Sequence, residues 1–168
     1  MNAPAKRTGA AFHRGSSKQD VETPEELIDA VERRFGPISF DLAANAANAK
    51  YERFFTEADD ALSQPWDDLA DGGLLWLNPP YAHITPWARK CVASAELGAR
   101  IAMLVPASVG SRWYLDHVRR RAMALALTPR VRFVGHPHVY PKDLILCMYG
   151  PRGEVPWCPG FDDWRWQR

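Results

Sequence analysis

Apolar residues follow two rhythms along this chain. Leu27, Ile28, Val31 and Phe35 recur at helical spacing, which predicts a helix with one buried face. Thr23-Pro24-Glu25-Glu26 precedes them. That order predicts Thr23 as the cap, Pro24 at the first helical position and Glu26 completing a capping box. Gly36-Pro37 ends the helix. Thr85-Pro86 starts a second helix by the same device, with Trp87, Cys91, Val92 and Ala95 on one face and Gly98 as its stop. Ser111 opens a short third helix through Val118. The other rhythm is the short apolar run. Ile38 to Leu42, Leu74 to Leu77, Ile101 to Val105, Met123 to Leu127, Val131 to Val134 and Leu144 to Tyr149 are of strand length. The run ended by Pro106 has no polar interruption, as in strands buried on both faces.

Strands alternating with capped helices predict an α/β fold, a mostly parallel sheet with helices on both faces. In such sheets ligands sit outside the carboxyl ends of the strands. Asp41 and the Asn78-Pro79-Pro80-Tyr81 loop both fall at such ends. A chain of 168 residues suits one domain, placed at 21–150. Residues 1–20 are polar and aperiodic, and Lys6, Arg7, Arg14 and Lys18 make them a basic arm, expected to be flexible. Residues 151–168 form a Pro/Trp tail of undetermined structure.

Composition narrows the classes. Lys+Arg 21 against Asp+Glu 20 leaves the chain almost neutral, so any basic surface must be local. Cys91, Cys147 and Cys158 are widely spaced and form no C-x-x-C, which disfavours a zinc site or a disulfide framework and suits a reducing, cytoplasmic setting. No signal peptide is expected, and no apolar run approaches the ~20 residues needed to span a bilayer. Neither a G-x-G-x-x-G nor a Walker loop follows the first strand. The five histidines show no metal spacing.

Asn78-Pro79-Pro80-Tyr81 carries the clearest chemistry. An exocyclic amine on a nucleobase is a poor nucleophile, because its lone pair is delocalised into the ring. The side-chain oxygen of Asn78 and the backbone carbonyl of Pro79 can accept its hydrogens. The two prolines fix the backbone and hold both acceptors in place. As such an amine attacks a sulfonium methyl, positive charge grows on nitrogen, and preorganised acceptors stabilise it. Tyr81 offers a face for an extruded base. No metal is required. Asp41 can bind the ammonium of a methionine moiety, and Ala43 leaves room beside it. Asp59 and Asp60 are candidates for a donor's adenine or ribose, and Thr23 with Pro24 for the pocket wall. Lys142, Arg130, Arg132, His136 and His138 surround one loop that could meet phosphates.

With these residues in view, the chain resembles the phage-type DNA N6-adenine methyltransferases, the Dam family of phages and prophages. The matching stretches are Val21-Glu22-Thr23-Pro24, Phe40-Asp41-Leu42-Ala43-Ala44-Asn45 with Asn48-Ala49-Lys50, and Phe54-Phe55-Thr56 leading to Asp59-Asp60-Ala61-Leu62. Gln64-Pro65-Trp66, Trp76-Leu77-Asn78-Pro79-Pro80-Tyr81, Leu104-Val105-Pro106 and Arg112-Trp113 follow in order. The resemblance implies a Rossmann-like methyltransferase fold, S-adenosylmethionine as donor and DNA adenine as acceptor. It implies catalytic roles for Asn78, Pro79, Pro80 and Tyr81, and donor contacts from Thr23, Pro24, Asp41, Ala43, Asp59, Asp60 and Asn78. DNA contacts are expected from Tyr81, Arg112, Arg132, His136 and Lys142. The first-strand motif lacks the glycine-rich turn common in methyltransferases. Cytosine N4, RNA adenine and protein glutamine stay open as acceptors, as does a silent nucleic-acid-binding module. Target site, strand preference and oligomeric state are not legible here.

Overall fold

The computed structural model describes residues 21–69, 71–151 and 158–167. Helix α1 (Glu25–Phe35) buries Leu27, Ile28, Ala30 and Val31, the face its spacing predicts. Its start differs from expectation. Pro24 takes the cap position in extended conformation and no side chain caps the helix, so Thr23 and Glu26 form no capping box. Thr23 is buried and used elsewhere. Gly36 ends α1 at φ 100, a conformation that side chains with a Cβ rarely adopt.

Among the described residues, six strands form one sheet in the order β1-β2-β3-β5-β4-β6. These are β1 (Ile38–Asp41), β2 (Leu74–Leu77), β3 (Ile101–Pro106), β4 (Met123–Thr128), β5 (Leu144–Tyr149) and β6 (Gly160–Arg165). β1 pairs β2, β2 pairs β3 and β4 pairs β6 in parallel. β5 runs antiparallel to both β3 and β4, so it alone is reversed. The strands β2, β3 and β5 are buried at every position, which explains their unbroken apolar composition. Helix α2 (Ile84–Glu96) starts one residue before Thr85, with Pro86 inside its first turn, where a missing N–H breaks no bond. Helix α3 (Arg112–His117) is short.

The core has two layers. Leu75, Leu77, Met103, Val105, Ile145 and Cys147 face α2 and α3. Trp76, Ala102, Leu104, Leu146 and Met148 face α1. Each fully buried large apolar side chain contributes roughly 1.5–3 kcal/mol. This is a Rossmann-like α/β fold with helices on both faces.

Two segments depart from the sequence reading. Val131 to Val134 is not a strand. Its alternation is real, since Val131 and Phe133 are buried while Arg132 and Val134 are exposed. Its backbone bonds go elsewhere: Val134 N–H donates to the Glu22 carbonyl, and Tyr140 N–H to that of Val131. The tail, in turn, supplies β6. Trp166 is buried and its indole N–H donates to the Pro129 carbonyl at 2.7 Å, while Trp164 meets Phe35 edge-on at 5.6 Å. The basic arm, residues 1–20, lies outside the described residues.

Candidate active site

The carboxyl ends of the parallel strands gather the polar motifs at one edge of the sheet. Asp41 ends β1, Asn78 follows β2, and Ala107-Ser108 follow β3. Because β5 is reversed, its first residue Leu144 pairs with Pro106 and brings Lys142 and Asp143 to the same edge. Strand alternation then sorts the side chains. Phe40, Leu42 and Leu77 belong to the α2 layer and Trp76 to the α1 layer. Asp41 and Asn78 therefore share the α1 side of adjacent strands, with Leu42 N–H bonded to the Trp76 carbonyl between them.

Asn78 is oriented by the segment preceding α1. Its Nδ2 donates to the Val21 carbonyl at 3.4 Å and to Thr23 Oγ1 at 3.5 Å. The Val21 carbonyl only accepts, so the nitrogen must face it and the oxygen must face the other way. That oxygen, Oδ1, is buried and accepts no hydrogen bond from the described residues. A buried acceptor left unpaired costs about 1–3 kcal/mol. The oxygen has no solvent contact. Thr23, expected at the pocket wall, thus holds the amide of Asn78.

Asp41 is buried with only 3% of its surface exposed. Burial raises its pKa to about 6, against the lowering effects of the Ala43 and Lys50 backbone N–H groups and the Lys50 charge. The Ala43 N–H donates to Asp41 Oδ1 at 3.2 Å. A buried carboxylate with incomplete compensation fits the ammonium end of an amino-acid ligand. Lys50 is itself held by Glu22 at 2.7 Å and Glu25 at 3.3 Å.

Tyr81 opens a single 3-10 turn, Tyr81–His83, and its ring meets Tyr140 edge-on at 5.9 Å. Tyr140 meets Phe133 in the same way at 5.6 Å. These two rings, from the loop between β4 and β5, extend the aromatic wall and were not among the expected site residues. Phe133 and Tyr140 carry no local motif. Pro79 is buried and Pro80 exposed.

The remaining candidates are more dispersed. Asp59 accepts from the N–H and hydroxyl of Thr56, each at 2.7 Å, which lowers its pKa and closes a capping box on a 3-10 turn. Asp60 is exposed in the left-handed region at φ 46. Arg132, His136 and Lys142 are exposed on the β4–β5 loop beside the site, and Arg130 pairs with Asp143 at 2.7 Å. Arg112, at the start of α3, is exposed and 3.5 Å from Asp116. No group of three or more His, Cys, Asp or Glu that could hold a metal occurs among the described residues. No helix among the described residues is long and apolar enough to cross a membrane. Two surface hollows, of about 680 and 480 Å³, are lined by neither Asp41 nor Asn78. The first is bordered by Leu97, Arg120 and Pro151, the second by Arg33 and Trp166.

The fold and the edge-of-sheet Asn-Pro-Pro-Tyr loop define an α/β methyltransferase class. Sequence comparison narrows it: the model of the DNA N-6-adenine-methyltransferase (Dam) family matches residues 13–140. The chain belongs to that family. It is similar to the DNA N-6-adenine-methyltransferase of Escherichia phage T1, 31% identical over 94 residues, 56% of this chain and 38% of the phage protein. It is also similar to YfdM of Escherichia coli (strain K12), named provisionally as a methyltransferase, 36% identical over 67 residues, 39% of this chain and 69% of that protein. The matched region thus spans well under half the length of the phage relative.

Proposed function

We propose that the protein methylates the N6 amine of adenine in DNA, with S-adenosylmethionine as donor. The observation that carries this reading is the Asn78 amide. Its nitrogen faces Val21 and Thr23 at 3.4 and 3.5 Å, and its buried oxygen has no partner among the described residues. Family membership and the phage relative's name support DNA as the substrate.

The donor, when bound, supplies an electrophilic methyl group on a sulfonium centre. Asp41 binds the ammonium at the donor's amino-acid end, which compensates a carboxylate now held at about 6 by burial. Asn78 Oδ1 and the Pro79 carbonyl accept the two amine hydrogens of an adenine turned out of its helix. Those contacts strengthen as positive charge grows on nitrogen, so they favour the transition state over the ground state. Tyr81 stacks on the extruded base, and the Tyr140 ring backs it. Arg132, His136 and Lys142, with Arg112 across the same edge, meet the phosphates flanking the target. Asp59 and Asp60 are too exposed to enclose a donor, and we assign them a rim contact with its ribose or adenine. A DNA-modifying role fits a cytoplasmic location.

Incubating DNA with the protein and S-adenosylmethionine, then digesting to nucleosides for mass spectrometry, tests the reading. N6-methyladenine is the expected product. N4-methylcytosine, or methylation of RNA or protein in place of DNA, would replace adenine as the acceptor.

A further inference from the structure

The two bonds that orient Asn78 are long, 3.4 and 3.5 Å, so neither holds the amide firmly. Its orientation depends instead on where their acceptors are held. Both acceptors lie on residues 21–23, a short strap ahead of α1. Side-chain and main-chain contacts of Glu22 pin that strap. The Glu22 carboxylate pairs with Lys50 at 2.7 Å, and the Glu22 carbonyl accepts from Val134 N–H at 3.0 Å. The Lys50 side chain is only 11% exposed and also reaches Glu25 at the start of α1, at 3.3 Å. The same ammonium acts electrostatically on Asp41.

We infer that Lys50, through its ion pair with Glu22, is a positioning residue that sets the amide of Asn78 for methyl transfer. The inference rests on reading Asn78 as the amine acceptor. Lys50 touches neither base nor reacting atoms. It fixes the strap, the strap presents Val21 and Thr23 to the amide nitrogen, and the oxygen is left facing the incoming amine. Lys50 is the shielded partner and Glu22 is 36% exposed, so losing the ammonium frees the Glu22 carboxylate to turn to solvent and lets the segment move. Lys50 follows β1 and Glu22 precedes α1, so the pair also ties the ammonium-binding end of the site to the amine-binding end.

The test compares full-length wild type, Lys50→Met and Lys50→Arg in three measurements. These are the single-turnover rate of methyl transfer to DNA, the dissociation constant for S-adenosylmethionine, and the NOEs between the Asn78 side-chain amide protons and the Thr23 methyl. Lys50→Met should slow transfer about tenfold at saturating donor, weaken donor binding by less than about threefold, and abolish the NOEs. Lys50→Arg should restore rate and NOEs, since a guanidinium can re-form the pair. Unchanged rate and NOEs in Lys50→Met would overturn the inference. So would a large loss of donor affinity with normal saturated rate, which would make Lys50 a partner of Asp41 only. If Lys50→Met does not fold, Glu22→Gln removes the same pair and is read in the same way. Should wild type transfer no methyl group to DNA, the proposed function fails, and the NOEs still decide whether Lys50 orients the amide.

Discussion

Replacing Asp41 with Asn should make the protein more stable and a poorer binder of its methyl donor. Burial lifts the Asp41 carboxyl from its ordinary 3.8 to about 6. A carboxylate forced to ionise there costs stability at neutral pH. The gap between the two values corresponds to at most about 3 kcal/mol. The sign follows from the folded value lying above the unfolded one. The group's contribution to stability is fully present below about 3.8 and is lost as pH rises through about 6. Asparagine has a similar shape and no charge, so at pH 7 the variant should exceed wild type by up to about 3 kcal/mol in chemical denaturation. That margin should close as pH falls from about 6 towards 3.8. Donor binding should move the other way. The ionised share of Asp41 falls from about nine-tenths at pH 7 to about one-tenth at pH 5, so wild-type affinity should drop roughly tenfold between them. In Asp41→Asn, affinity should be lower at pH 7 and flat across this range. Calorimetric titration with S-adenosylmethionine measures both. A variant less stable than wild type at pH 7, or wild-type affinity that is constant from pH 5 to 7, would refute the assignment.

Three further outcomes follow from the same geometry. Tyr81→Ala should raise the Michaelis constant for DNA by an amount matching about 1–3 kcal/mol of lost stacking, with donor affinity unchanged in direct titration. The double substitution Arg132→Ala with Lys142→Ala should weaken binding to all DNA sequences alike and lower the slope of log affinity against log salt by about 2, read by fluorescence anisotropy. Trp166→Ala empties a buried site and deletes the bond to the Pro129 carbonyl. It should cost about 3–5 kcal/mol in denaturant unfolding, because Trp166 belongs to the core on the α1 side of the sheet.

The parts of the fold legible in the sequence are those set by local patterning. Leu74 to Leu77 reads as a buried strand because all four positions are buried, and the Asn-Pro-Pro-Tyr loop is anchored by it. The buried face of α1 follows its spacing in the same way. Thr23 shows where local reading stops. A threonine before a proline and two glutamates satisfies the rules for a helix cap, yet its hydroxyl faces an amide 55 residues away. Nothing within a few residues of Thr23 encodes that partner. Lys50 and Glu22, 28 residues apart, were hidden for the same reason, and so was the meeting of Tyr81 with Tyr140. β6 was obscured by its composition. Its Asp162-Asp163 centre is polar because the strand is an exposed sheet edge, and its place depends on the ladder with β4 and on Trp166.

In the proposed reaction the amide oxygen of Asn78 accepts from the base amine while methyl transfer occurs. Single-turnover transfer to DNA, with wild type and Asn78→Ala both saturated with S-adenosylmethionine, tests it most directly. Asn78→Ala should lose at least about 100-fold in rate, with the donor dissociation constant within about twofold of wild type. Transfer to adenine at a near-normal rate in Asn78→Ala would contradict it.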